Sequence, residues 1–314
     1  MTTRSARFLL PVALLGLVAA ACGSGEDTTD DASATSDATE SEAAAPDGPA
    51  IKVRGQAFSE SVTIAEVYGQ YLEGKGYDVE ILTEAGFREE AVTGIETAEL
   101  DLIVDYLGSA QAQLVPDAEA SADPAEVSAN LVPFYEGIGA TLLDYSPAVD
   151  GNAFVVRGDE DATAISDTAD AGLVLGASAQ CFERPQCYIG LTDPEIYGIE
   201  FADTVTLEFG QVLGTALAAE EVDAVIWNTT APEIETEGFK VLADDKMLFS
   251  ADNIAPIIRT EVLDAYGDQL ASDLNELSAQ ITTDDLVAWN VETDIEKRES
   301  DDVATEWLEA EGLL

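Results

Sequence analysis

The chain has 314 residues, with 63 Asp and Glu against 13 Lys and Arg, no histidine, and a formal net charge of −50. A polyanion needs Lys and Arg to displace its counterions, so a general nucleic-acid binder is excluded. The lack of histidine removes Ser-His-Asp and Cys-His nucleophilic sites and His-ligated metals, while 46% hydrophobic content suffices for one large or two ordinary domains.

Arg4 and Arg7 open the chain, an apolar run follows from Phe8 to Val18, and Ala19-Ala20-Ala21 precede Cys22. A charged start, an apolar stretch too short to span a bilayer and a small-residue cleavage site make residues 1–21 a signal peptide. Cys22 followed by Gly23-Ser24-Gly25 resembles a bacterial lipobox, with Ala19 where Leu is more common. The resemblance implies lipidation of Cys22. Residues 23–49 hold eight acids, no base and no aromatic, so 22–50 read as the lipidated cysteine and a disordered acidic tether. An acidic body is repelled by an anionic membrane surface, which gives the anchor a physical role.

The folded body starts at Ile51. Ile51–Val53 reads as a strand, and Ile64, Val67, Tyr68, Tyr71 and Leu72 recur at helical spacing, with Ser59 or Ser61 as N-cap and Gly74 and Gly76 at the end. A strand at 79–82, a loop at 84–88, a second helix and a buried strand at 100–104 follow, the last ending in Asp105-Tyr106-Leu107-Gly108. This β-α-β-α-β order predicts a parallel, helix-covered sheet. The pattern restarts after Tyr145 with strands at 152–157, 173–175 and 204–207, a helix at 211–219 and a strand at 222–227. Helices over 262–280, 283–297 and 302–311 close the chain.

The fold class is α/β: two lobes, each a mainly parallel sheet flanked by helices, with a helical C-terminal tail. Ligands of such sheets sit beyond the carboxyl ends of the strands, which singles out 56–60, 84–88, 105–109, 178–184 and 227–230. Cys181 and Cys187, close together in an exported chain, read as a local disulfide. Two thiols without further Cys or His make an incomplete metal site, and no metal or cofactor is expected.

In order along the chain stand VRGQAFSES, YGQYLEGKGYDVE, ELDLIVDYLGS, LGASAQCFERPQCYIGL, KVLADDKMLFSADNIAPIIR and VATEWLEAEGLL. This series, through nearly all of 51–314, resembles the substrate-binding proteins of ABC importers for glycine betaine, choline and related osmoprotectants. The resemblance implies a type II periplasmic-binding-protein fold whose chain crosses its hinge near 147–151 and 248–252. Lobe 1 would be 51–149 with 250–314, and lobe 2 would be 150–249. It further implies a monomer on the outer face of the cell membrane that catalyses nothing. Such a protein captures a quaternary-amine osmolyte between its lobes and delivers it to a permease.

A quaternary ammonium has no hydrogen-bond donor, so a protein recognises it by aromatic faces, each worth about 0.5–2 kcal/mol. A ligand carboxylate needs backbone N–H groups at a helix start, a hydroxyl or a basic side chain. By resemblance Tyr106 belongs to the aromatic cage, Phe58 is a wall and Ser59 a donor at the helix start. Phe87 lies in the second cleft loop and is a further wall. Gln56 stands where the family often has Lys, and Arg88 is a candidate to replace that charge. Expected aromatics align with Cys181 and Asn228, beside Phe182 and Trp227 respectively. Two site readings therefore stand: a cage of Tyr106, Phe87, Phe182 and Trp227, or a more polar solute recognised by Gln180, Asn228 and Thr229.

Each of these residues has a competing structural role. Trp227 sits in a strand, where side chains alternate between faces, so the second lobe's core is its other destination. Arg184 can pair with Glu183 or hold its loop. Tyr68, Tyr71, Trp289 and Trp307 read as core, and Asp244-Asp245 as hydrogen-bonding the hinge. Three other functions compete with import. A sensor of the same fold differs only in its partner. A carboxylate-based hydrolase shows no motif. A calcium-stabilised scaffold lacks the Asp-x-Asp/Asn loop.

Overall fold

The computed structural model describes residues 48–314; the signal peptide, Cys22 and nearly all of the tether lie outside the described residues. Ten strands are present among them: β1 (Ile51–Gln56), β2 (Val79–Gly86), β3 (Leu102–Tyr106), β4 (Ala140–Leu142), β5 (Asn152–Val156), β6 (Val174–Ala177), β7 (Asp203–Thr206), β8 (Ala224–Asn228), β9 (Lys240–Leu242) and β10 (Ile254–Arg259). The helices are α1 (Ser59–Gly74), α2 (Arg88–Thr97), α3 (Leu107–Leu114), α4 (Pro124–Gly137), α5 (Gly190–Thr192) and α6 (Gln211–Ala218). They continue with α7 (Glu233–Thr236), α8 (Thr260–Tyr266), α9 (Asp268–Ser278), α10 (Thr283–Asn290) and α11 (Ser300–Glu311).

The strands form two five-stranded sheets, ordered β2-β1-β3-β10-β4 and β7-β6-β8-β5-β9, one in each lobe. In the first, β1 is parallel to β2 and β3, and β10 is antiparallel to β3 and β4. In the second, β6 is parallel to β7 and β8, and β5 is antiparallel to β8 and β9. Each sheet thus has one reversed strand, and in each it is the strand entered directly after the chain crosses between lobes. A strand that starts from the crossing starts at the edge where its neighbours end. The two crossings lie side by side: Val149 bridges Asn253 antiparallel, and the Asp150 N–H donates to the Asp252 carbonyl at 3.1 Å. The C-terminal edges of both sheets therefore face one interface.

Period-two alternation sorts the side chains between two cores per lobe. Phe154 and Val156 of β5 enter one core with the Cys181–Cys187 disulfide, while Ala153 and Val155 enter another under α6. In the first lobe Ile254 and Ile258 join Tyr68, Tyr71 and Trp289, and Ile257 joins Ile103, Leu131 and Tyr135 on the other face. Each such fully buried aliphatic side chain contributes about 1.5–3 kcal/mol. Trp289 and Trp307 meet edge to face at 5.2 Å, and Tyr68 Oη reaches Ser278 Oγ at 2.8 Å.

Three local expectations change. The helix over 262–280 is two helices, because Gly267 takes φ +70° and interrupts it between α8 and α9. The helix over 283–297 ends at Asn290 and continues as a wider turn at Val291–Ile295. Neither serine caps α1. Its N-cap is Phe58, the Ser59 hydroxyl donates to Asp294 Oδ1 at 2.6 Å, and Ser61 Oγ accepts the Gln56 N–H at 2.9 Å.

Candidate functional site

A cavity of about 770 Å³ opens where the loops after the strands meet, a size suited to a small molecule. The first lobe contributes Arg88 and Ser109, the second Asn152, Gln180 and Arg184, and the return crossing Asp252. Among the described residues its wall holds no aromatic side chain.

Arg88 opens α2 and turns onto the end of β3. Its Nε and Nη2 donate to the Asp105 carboxylate at 2.8 and 2.9 Å, and Nη1 donates to Gln113 Oε1 at 3.0 Å. Asp105 also accepts from Gln56 Nε2 and from the Tyr106 N–H, each at 2.8 Å. Burial, the largest single influence, disfavours the Arg88 cation, but the Asp105 charge and hydrogen bonds, with the Asp252 charge behind them, together hold the guanidinium above its ordinary range. The charge of Arg88 is therefore matched inside the protein, and Gln56 faces the same acid.

Arg184 differs. Among the described residues its side chain has no hydrogen-bond or salt-bridge partner, and it still reaches solvent. The surrounding cleft wall pulls its pKa down by desolvation, Asp252 opposes the fall, and Arg88 adds to it. The loop that carries Arg184 is closed by the Cys181–Cys187 disulfide, whose Cα atoms are 5.3 Å apart. Asp252 accepts the Ser109 N–H at 2.8 Å and the Ser109 hydroxyl at 2.6 Å. Burial pushes Asp252 up to about 6, against those two hydrogen bonds. Ser250 Oγ, on the same wall, is buried with no partner.

The four aromatics of the expected cage are not brought together. Tyr106 is 4% exposed, donates from Oη to Glu60 Oε1 at 2.8 Å, and lies 5.8 Å from the Phe58 ring. Phe87 stands 70% exposed one residue ahead of Arg88. Phe182 packs edge-on against Tyr188 at 5.2 Å. Trp227 lies in the core beneath α6, so close that a Cβ on Gly214 would come within 2.7 Å of its ring. Strand alternation explains this, since Ile226 takes the opposite face of β8. Phe209, exposed on the loop after β7, carries no sequence signal beyond following a strand.

Asn228 and Thr229 serve the hinge. Asn228 Nδ2 donates to Thr230 Oγ1 at 2.9 Å, and Thr229 Oγ1 accepts the Gly151 N–H at 3.0 Å. Asp244 accepts the N–H groups of Leu248 and Phe249 at 3.0 and 2.7 Å, which fixes the return segment. Four further polar residues meet at the interface without having been singled out: Glu60, Asp150, Thr230 and Asn290. Glu60 and Thr230 fall within the strand-end segments 56–60 and 227–230. For Asn290, no local pattern points to the interface.

A family model for the substrate binding domain of ABC-type glycine betaine transport systems matches residues 49–310. The chain belongs to that family. This binding protein is 25% identical over 282 residues to a glycine-betaine-binding protein of Pseudomonas aeruginosa, covering 84% of this chain and 88% of the relative. It is 24% identical over 269 residues to the carnitine transport binding protein OpuCC of Listeria monocytogenes, covering 82% and 86%. The fold matches the crystal structure of a glycine betaine/carnitine/choline ABC transporter protein at TM-score 0.74 and 21% identity, over 84% of this chain and 99% of the other. It also matches lactococcal OpuAC, closed on glycine betaine, at TM-score 0.58 and 16% identity, over 84% and 96%. Both likenesses are of fold and agree with the mixed α/β architecture of two sheets. Among the described residues no helix is long and apolar enough to cross a membrane.

Proposed function

We propose that this binding protein captures a betaine-type zwitterion in the cavity between its lobes and delivers it to a membrane permease. In this reading it works outside the cytoplasm as a monomer, held to the outer face of the membrane by a lipid on Cys22. The observation that carries the ligand reading is the pairing of the two arginines. Arg88 is matched by Asp105, whereas Arg184 lines the cavity without a carboxylate partner among the described residues. A solute carboxylate supplies the missing partner, as a charge-assisted hydrogen bond. The exposed rings of Phe87, Phe58 and Phe209, on loops that follow β2, β1 and β7, are the faces open to a quaternary amine.

The absence of aromatics from the cavity wall favours a second reading, a zwitterion with N–H donors such as an amino acid. Its ammonium would be served by Asn152, Gln180 and Asp252. Thermal melting of the full chain with glycine betaine, carnitine, choline and amino acids separates the two. Glycine betaine at a hundredfold excess over its Kd is expected to stabilise by about 2.7 kcal/mol. No shift with any quaternary amine, alongside a shift with an amino acid, overturns the first reading in favour of the second.

A further inference from the structure

Four parts of the chain meet at one carboxyl group. Glu60, in the first turn of α1, is 3% exposed; its Oε1 accepts from Tyr106 Oη at 2.8 Å, and its Oε2 accepts from Asn290 Nδ2 at 2.6 Å. Thr230 Oγ1, from the second lobe, stands 2.6 Å from the same Oε2 and 2.8 Å from Asp150 Oδ1 on the outgoing crossing. Asn228 Nδ2 donates to that hydroxyl at 2.9 Å.

A hydroxyl has one proton and two lone pairs. Asn228 fills one lone pair, which leaves one proton and one lone pair to face two carboxyl groups. Both short contacts are hydrogen bonds only if one carboxyl is protonated. The orientation of the Asn290 amide is fixed, because Nδ2 also donates to the Thr230 carbonyl at 3.1 Å. Glu60 already accepts from Tyr106 and Asn290, so the Thr230 proton goes to it as a third donor, as to a carboxylate; burial raises its pKa and these hydrogen bonds lower it. The proton then belongs to Asp150, which donates it to Thr230. Burial, followed by the Glu60 charge, lifts Asp150 well above the usual carboxylate range. The titratable groups facing the pair are Tyr106 and Asp252, with Asp105 behind Tyr106 already matched by Arg88. Among the described residues no Lys or Arg forms a salt bridge with Glu60 or Asp150.

We infer that Glu60, Thr230 and Asp150 form a proton-carrying latch: the lobes shut with Asp150 protonated, and opening separates Thr230 from Glu60 and releases that proton. Closure then takes up one proton. As the pH rises from the ordinary Asp value of about 4 towards the higher closed-state value, the closed-to-open ratio falls by up to about tenfold per unit. Acid holds the lobes together, and neutral or alkaline solution loosens them. The latch needs no solute, so its success or failure is independent of what the cavity binds.

Electron–electron distance measurements on the full chain without added solute test this. Spin labels on noncanonical residues would replace Glu99 in the first lobe and Asp170 in the second, both exposed. Between about pH 5 and about pH 8 the distance distribution is expected to shift from the short towards the long population. Asp150→Asn keeps an N–H donor towards Thr230, so this variant stays shut at both pH values and loses the response. Glu60→Gln removes the carboxylate that three donors require, so it opens at both. An identical wild-type distribution at the two pH values overturns the inference, as does an Asp150→Asn variant that responds to pH like the wild type.

Discussion

Asp105→Ala is expected to destabilise the protein by about 3–5 kcal/mol, the cost of leaving a buried charge without its partner. The Asp105 side chain is 2% exposed and that of Arg88 14%, so solvent cannot take over the lost contact. The change strands Arg88 Nε and Nη2, and with them Gln56 Nε2 and the Tyr106 N–H. At about 2–4 °C per kcal/mol for a body of this size, Tm should fall by roughly 6–20 °C. Urea unfolding followed by circular dichroism gives the free energy directly. Replacing both partners by apolar residues, Arg88→Met with Asp105→Leu, removes the stranded charge as well as the pair. That double variant leaves only Gln56 Nε2 and the Tyr106 N–H without their acceptor, so it should regain part, not all, of the single variant's loss. A single-variant loss below about 1 kcal/mol, or a double variant as unstable as the sum of the singles, refutes the reasoning.

Two further outcomes follow from the cavity wall. Arg184→Ala should weaken glycine betaine binding by roughly 10–150-fold in titration calorimetry, since a hydrogen bond to a charged group is worth about 1.5–3 kcal/mol, while leaving Tm nearly unchanged. Equal affinity in variant and wild type removes Arg184 from the site. Asp252, pushed up to about 6, makes the folded protein bind more protons than the unfolded chain between its ordinary value and that one. Its contribution therefore stands in full below about pH 4 and is lost by about pH 6, a fall on the order of 3 kcal/mol. The difference in unfolding free energy between wild type and Asp252→Asn should follow that slope, and a difference that does not vary with pH contradicts it.

The alternation of strands and helices was legible because each parallel unit writes its own period: apolar runs at 100–104 and 222–227, and helical spacing from Ile64 to Leu72. The strand-end rule likewise pointed to segments holding Arg88, Gln180, Glu60 and Thr230. The direction of individual side chains was not legible. Trp227 lies near the end of a buried strand, and the alternation that turns its ring under α6 depends on a register the sequence does not print, with Gly214 leaving room for the ring there. Phe182 lies next to Cys181, yet the ring turns to Tyr188. Glu60 lies in a strand-end segment, but as one of 63 acids its role is set only when Thr230, 170 residues later, arrives beside it. Gly267 sits inside a helical pattern, where a single glycine is tolerated unless φ turns positive, as it does here.

The placement of β10 governs the order of assembly. It fills the gap between β3 and β4, yet it is made from residues 254–259, after every strand of the second sheet has been made. The second sheet draws only on the continuous stretch from β5 to β9 and can complete itself once that stretch is available. Without β10 the β3 edge has no partner on that side, the kind of edge that invites mispairing with another chain. The middle of the polypeptide can thus complete its sheet before its beginning can, which must await a strand from beyond the second lobe.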